Sequence, residues 1–238
     1  MATRLAAALG IVLLLGSASV APAGQPPRLI LALGNISFIN PSAVQATGAE
    51  VRQELSTPLK DVAVVVLANI PCTALPGPIR EGLVSYLEAG GALLITGGSQ
   101  SFGSGGYRAV TPIIPFEIRS DNDWRFISFR PPIPLQPGHP ILAGVTFSTV
   151  GTINDMNPRP GATEILQSPG GGRAATITGG SGGGSFLYPL IAELAVGAGR
   201  VIGMAFDLND FAGMRDRDLF VQNTLTYLLT ASRVGLSR

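Results

Sequence analysis

The 238 residues carry 16 lysines and arginines against 15 aspartates and glutamates. That balance, with no basic run, excludes nucleic acid or an anionic membrane as the main partner. Only 13% of residues are charged, and 31 glycines and 19 prolines punctuate a chain that is 46% hydrophobic, so much of it must be buried strand or tight loop. The lone cysteine, Cys72, excludes an internal disulfide and a cysteine-rich metal site, and its setting past an apolar strand makes it a small, half-buried filler.

The N-terminus has one basic residue, Arg4, an apolar run from Leu5 to Leu15 and a small-residue site at Ala21-Pro22-Ala23. This is the pattern of a secretory signal. The expectation is an exported protein, periplasmic or extracellular, with a signal at residues 1–23 and one α/β domain at 24–238. An uncleaved anchor running through Ala23 is the alternative. No cysteine follows the apolar run for lipid attachment, no arginine pair marks a twin-arginine signal, and no membrane span is expected after cleavage.

Arg28 to Leu33 is an apolar run ending at Gly34, expected as the first strand. Pro41 to Leu55 offers a loosely spaced helix through Val44, Ala49, Val51 and Leu55. Asp61 to Ala68 is the clearest strand, rich in β-branched valine and apolar after Asp61. A helix then opens at Pro76 and Pro78, presents Ile79, Leu83, Tyr86 and Leu87 on one face, and stops at Gly90-Gly91. Ala92 to Ile95 follows as a strand buried on both faces. Strand, helix and strand at this spacing form a βαβ unit and hence a parallel sheet. The loop after it carries Gly97, Gly98, Gly103, Gly105 and Gly106. In open α/β sheets ligands sit beyond the carboxyl ends of the strands, so this loop is the natural place for a site.

Beyond Tyr107 the pattern loosens. Pro112 and Pro115 stop any long helix, and Phe116 to Arg119 is expected as a short strand. Residues 121 to 140 hold Trp124, an alternating stretch from Arg125 to Arg130, and a proline-rich turn ending Gly138-His139-Pro140. Further short strands are expected at Thr146–Val150, Thr163–Leu166 and Ala174–Thr178, with the glycine tracts of 169–184 as loop. Leu190 to Val196 and Arg200 to Phe206 flank Gly197-Ala-Gly199 as a hairpin. Asp216 or Asp218 can cap a closing helix with Val221, Leu225, Leu228 and Leu229 on its apolar face.

These elements resemble the glutamine amidotransferase-like family, relatives of the class I amidotransferase fold. The resemblance rests on Asp61-Val-Ala-Val-Val-Val-Leu67, on the stretch from Tyr86 through Gly97-Gly-Ser-Gln-Ser to Tyr107, on Pro115-Phe-Glu-Ile118, on Gly138-His-Pro-Ile141, and on Gly197 to Asp207. It implies a flavodoxin-like α/β fold, a mostly parallel sheet flanked by helices, with a C-terminal β-hairpin and closing helix. Members with glutaminase activity carry a nucleophilic cysteine at a Gly-x-Cys-x-Gly elbow and a late His-x-Glu pair. Here Ser99 stands at the elbow without the closing glycine, and Asp207-Leu-Asn-Asp210 follows the late strand without a histidine. The resemblance therefore implies a domain that lacks the Cys-His-Glu triad. Relatives found in bacterial envelope proteins suggest an envelope partner.

Ser99 on a strand-to-loop elbow could act as a nucleophile only with a base, and the chain offers one histidine, His139. The alternative is that Ser99 hydrogen-bonds the local backbone and His139 is structural. The glycine loop lacks the Gly-Lys-Ser/Thr of a phosphate cradle, so Phe102 and Tyr107 are better taken as its anchors. The acidic clusters at 121–123, 207–210 and 216–218 do not match a calcium loop, and no metal or cofactor is expected. Asp207 ends a buried strand on the same rim as Ser99. The favoured function is a non-catalytic binding module for a small ligand or an envelope protein, using Gly98, Ser99, Gln100, Phe102, Tyr107, Asp207 and Asn209. A serine hydrolase using Ser99 with His139 or Asp207 is the runner-up. A metal or carbohydrate binder at Asp207 is third.

Overall fold

The computed structural model describes residues 27–126, 131–147, 151–169, 187–210 and 214–235. The signal expected at residues 1–23, the strand expected at Ala174–Thr178, the glycine tracts after Pro169 and residues 211–213 lie outside the described residues, as does most of Thr146–Val150.

An eight-stranded sheet organises the chain, and five of its strands run parallel. In spatial order these are β2 (Ala49–Arg52), β1 (Arg28–Gly34), β3 (Val62–Ala68), β4 (Ala92–Thr96) and β12 (Gly199–Met204). Antiparallel strands β11 (Leu187–Val196), β10 (Thr163–Pro169) and β7 (Ile133–Pro134) complete it. All seven residues of β3 and all five of β4 are buried, which is why both read as apolar runs, β4 closing on the buried Thr96.

Alternate strand residues serve two cores. Leu31, Val65, Leu67, Leu93, Ile95 and Val201 meet Ile79, Leu83 and Leu87 of helix α2 (Gly77–Glu88) on one face. Ile30, Val64, Val66, Leu94 and Ile202 meet Phe220, Val221, Leu225 and Leu228 of α3 (Arg217–Ala231) on the other. Each fully buried aliphatic side chain contributes about 1.5–3 kcal/mol, so these two layers dominate the fold's stability. At the end of α2 the Tyr86 hydroxyl accepts from Ala92 N at 3.0 Å. A Cβ on Gly91 would lie 2.3 Å from that ring, so the second glycine of the pair makes room for the tyrosine. Arg28 donates to the carbonyls of Leu229, Ser232 and Val234, satisfying the C-terminal end of α3.

The expected hairpin forms, β11 against β12 with Gly197 at φ +57°. Two expectations are corrected. The helix expected from Pro41 to Leu55 stops after one turn, α1 (Pro41–Gln45), and β2 begins four residues later. Thr47 Oγ1 donates to Val44 O at 2.7 Å and Gly48 turns at φ +68°, after which Ala49 and Val51 alternate with Glu50 and Arg52 at strand period. Asp216 stands at the start of α3 but does not cap it, because its carboxylate accepts from Thr146 N at 3.0 Å. Asp218 likewise accepts from Asn40 Nδ2 at 3.0 Å, tying α3 to the turn before α1.

Three-residue strands make two small pairs beside the main sheet. These are β5 (Phe116–Ile118) with β9 (Met156–Pro158), and β6 (Trp124–Phe126) with β8 (Thr152–Asn154). Of these four strands, β5 falls on the one expected at Phe116 to Arg119, and β6, β8 and β9 were not expected. No helix among the described residues is long and apolar enough to cross a membrane.

Candidate functional site

The carboxyl ends of β1, β3, β4 and β12 share one rim, and each strand there hands over to a turn with a small or amide side chain. After β3, Asn69 adopts φ +42°, a left-handed conformation that asparagine tolerates better than most residues. After β4, Gly97 N donates to Phe206 O at 3.0 Å, and Gly98 turns at φ +139°. A Cβ on Gly98 would lie 2.2 Å from Asn69 Cγ, so the glycine lets the loop lie directly on that side chain.

Asp207 is the hub. It is 4% exposed, and its Oδ2 accepts from Asn69 Nδ2 at 2.8 Å. Its Oδ1 accepts from Asn209 N at 2.9 Å and Asn209 Nδ2 at 2.8 Å. Burial pushes the carboxyl above its ordinary value of 3.8; the Asn209 and Asn69 hydrogen bonds oppose that shift without cancelling it, and the nearby Asp210 charge adds to it. Asn69 Oδ1 in turn accepts from Gln100 N at 2.9 Å. Asn209 Nδ2 also donates to Asn35 O at 2.9 Å, and Ser37 Oγ donates to Asn209 Oδ1 at 2.6 Å. One carboxylate thereby orients two amides that reach the turns after β1 and β4.

A second buried acid seats the glycine loop from beneath. Asp123 is fully buried and accepts from Gly103 N at 2.9 Å, Ser104 N at 3.0 Å, Ser104 Oγ at 2.8 Å and Asn154 Nδ2 at 2.9 Å. Asn154, 1% exposed, also accepts from Gly98 N at 2.9 Å. Asn154 ends β8 and Asp123 immediately precedes β6, so the unexpected pairing of these two strands holds both residues under the loop.

The expected site residues separate into three groups. Ser99 and Gln100 are exposed on the rim, with Gly98, Asp207 and Asn209 beside them in the hydrogen-bond network. Phe102 and Tyr107 are 0% and 1% exposed, so they anchor the loop and present nothing to a ligand. Phe102 meets Phe116 edge to face at 5.7 Å, and Tyr107 Oη donates to Ile70 O at 2.8 Å, with burial pushing its phenol well above the usual range.

His139 belongs elsewhere. Its Nδ1 accepts from Ile141 N at 3.3 Å, its Nε2 lies 3.5 Å from Glu193 Oε2, and its ring packs edge to face on Tyr227 at 4.9 Å. Those partners lie on β11 and α3, on the α3 face of the sheet, and the Ser99 loop is not among them. The structure does not bring Ser99 and His139 together. Ser99 Oγ has no hydrogen bond among the described residues; the serine that bonds the local backbone is Ser101, whose Oγ donates to Thr96 O at 2.7 Å. Cys72 is buried, 6% exposed, and its thiol is pushed up by burial.

Asn35, Ser37, Asn69 and Asn154 were missed as site residues, and Asp123 was weighed only as a metal ligand. The available signal was position: Asn35 and Asn69 each follow an apolar strand directly or by one residue. Among the described residues no three His, Cys, Asp or Glu side chains converge as a metal site. The exposed rim instead carries the uncharged donors and acceptors Asn35, Ser37, Ser99 and Gln100, with Asn209 half-buried among them and one exposed carboxylate, Asp210, beside them. Such groups recognise a ligand through hydrogen bonds to neutral polar atoms.

No family model matches the chain, and no curated protein matches it. Solved structures do resemble it. A cytoplasmic protein of Salmonella typhimurium superposes with a TM-score of 0.65 at 13% identity, covering 87% of this chain and 99% of its own. A ThuA-like protein of Bacteroides uniformis gives 0.55 at 12% identity, over 90% of this chain and 96% of its own. The β-galactosidase of Rahnella sp. R3 gives 0.54 at 12% identity, over 87% of this chain but 31% of the enzyme. Likeness at such identities concerns architecture alone, and on that ground this chain has the class I glutamine amidotransferase-like fold.

Proposed function

We propose that the chain is an exported, non-catalytic binding module of the glutamine amidotransferase-like family, and that its ligand surface is the Asp207–Asn69 rim. The observation that carries this reading is the double use of Asn69, held by Asp207 on one side and holding Gln100 N on the other. A buried acid whose oxygens already accept three hydrogen bonds is suited to orienting amides and poorly suited to moving protons. The exposed groups it orients favour a neutral, hydrogen-bonding ligand or the polar surface of an envelope protein. The composition of residues 1–23 supports delivery outside the cytoplasm.

The hydrolase reading needs a base beside Ser99, and His139 is engaged with Glu193 and Tyr227. The test is a thermal-shift screen of the purified chain against neutral polar ligands and envelope fractions, repeated with Ser99→Ala and Asn69→Ala. A ligand that stabilises wild type and Ser99→Ala but not Asn69→Ala supports the binding rim. An ester or amide turnover that Ser99→Ala abolishes overturns it. Export is tested separately by the mass of the protein recovered from its producing cell, expected to begin at Gly24.

A further inference from the structure

The two edges of the sheet are finished differently. β7 is two residues long, follows Pro131 and Pro132, and ends in Pro134, which has no N–H to offer a further strand. β2, at the opposite edge, contains no proline and among the described residues is paired on one side only, with β1. Its side chains alternate. Ala49 and Val51 face the α1 side, where with Ile36, Ile39, Pro41 and Val44 they line an open apolar groove of about 440 Å³. Glu50 and Arg52 occupy the other face, 44% and 40% exposed, 2.6 Å apart.

We propose that β2 is where two copies of this chain associate, antiparallel about a two-fold axis at Val51. In that register Glu50 of each copy stands opposite Arg52 of the other, so the charge pattern is complementary to itself. Moving the axis to Glu50 sets glutamate against glutamate, and moving it to Arg52 sets arginine against arginine. A slip of one residue turns the charged face of one copy onto the groove face of the other. The register that satisfies the charges also brings Val51 against Val51 and sets the two grooves side by side on one face. An unrelated extended peptide would gain the backbone ladder but not this reciprocity.

The test is sedimentation velocity on the purified full chain across a concentration series, with folding checked by thermal melting. Wild type is expected to dimerise. Glu50→Arg, or Arg52→Glu, creates two like-charge pairs per dimer and is expected to raise the dissociation constant about tenfold or more. The double variant E50R/R52E restores the opposite charges and is expected to recover the wild-type constant. Both positions are exposed and their intrachain pair contributes little to folding. A chain monomeric at every concentration, one that holds a different partner at this edge, a dimer indifferent to the single variants, or a double variant without recovery would each overturn the proposal.

Discussion

Asn69 and Asp207, 138 positions apart in the chain, are joined by a 2.8 Å hydrogen bond from the amide to the buried carboxylate. The same amide accepts Gln100 N at 2.9 Å, so one side chain ties the turns after three parallel strands into a single rim.

Asn69→Ala removes both bonds and leaves Asp207 buried with one acceptor unfilled. A loss of about 1–3 kcal/mol is expected, read from urea unfolding. Amide exchange at Gln100 should speed up in the variant. Unchanged exchange there would mean that Asn69 does not hold the loop.

Asp123→Ala strips four hydrogen bonds from the underside of the same loop. Buried donors on Gly103, Ser104 and Asn154 then go unmet, and about 3 kcal/mol or more should be lost. Asp123→Asn keeps the shape and some acceptor capacity, so its midpoint should fall between the two.

Gly98 and Gly106 separate two reasons for glycine. Both have positive φ, +139° and +75°, but a Cβ at Gly98 meets Asn69 at 2.2 Å while one at Gly106 meets nothing within 4 Å. Gly106→Ala should cost about 1–2 kcal/mol of backbone strain alone. Gly98→Ala should cost more and also disturb the Gln100 amide, visible as a shifted resonance.

Asp207 and Glu193 should move stability oppositely with pH. Burial raises Asp207, so the folded state penalises its charged form; the stability it contributes is full below 3.8 and is lost as pH rises through its raised folded value. Burial also pushes Glu193 up, but the nearby His139 ring, the Tyr227 hydrogen bond and the Arg200 charge together outweigh it, leaving it below 4.5. Its contribution is present above 4.5 and is lost as pH falls through the lowered value. Measured across acid pH, the gap between wild type and Asp207→Ala should widen as pH falls, and that for Glu193→Gln should narrow.

The sequence by itself determined the parallel core. Val62 to Ala68 and Ala92 to Ile95 are apolar at every position because both faces are covered, and no other element satisfies that pattern so well at that length. It also located the rim, since Gly97 and Gly98 must follow a strand that ends in a sharp turn. What it could not carry was partnership over distance. Ala49 to Arg52 has the alternation of a strand, but that four-residue signal was masked by the loosely helical spacing from Val44 to Leu55. Asn69, Asp123 and Asn154 look like ordinary loop residues until the crossovers bring them against the turn after β4. Their roles come from hydrogen bonds between segments remote in sequence, and such bonds exist only once the sheet has set which strand ends are neighbours. His139 shows the same limit in reverse: a plausible base for Ser99 by residue type, it was assigned by the packing of β11 and α3 to Glu193 and Tyr227.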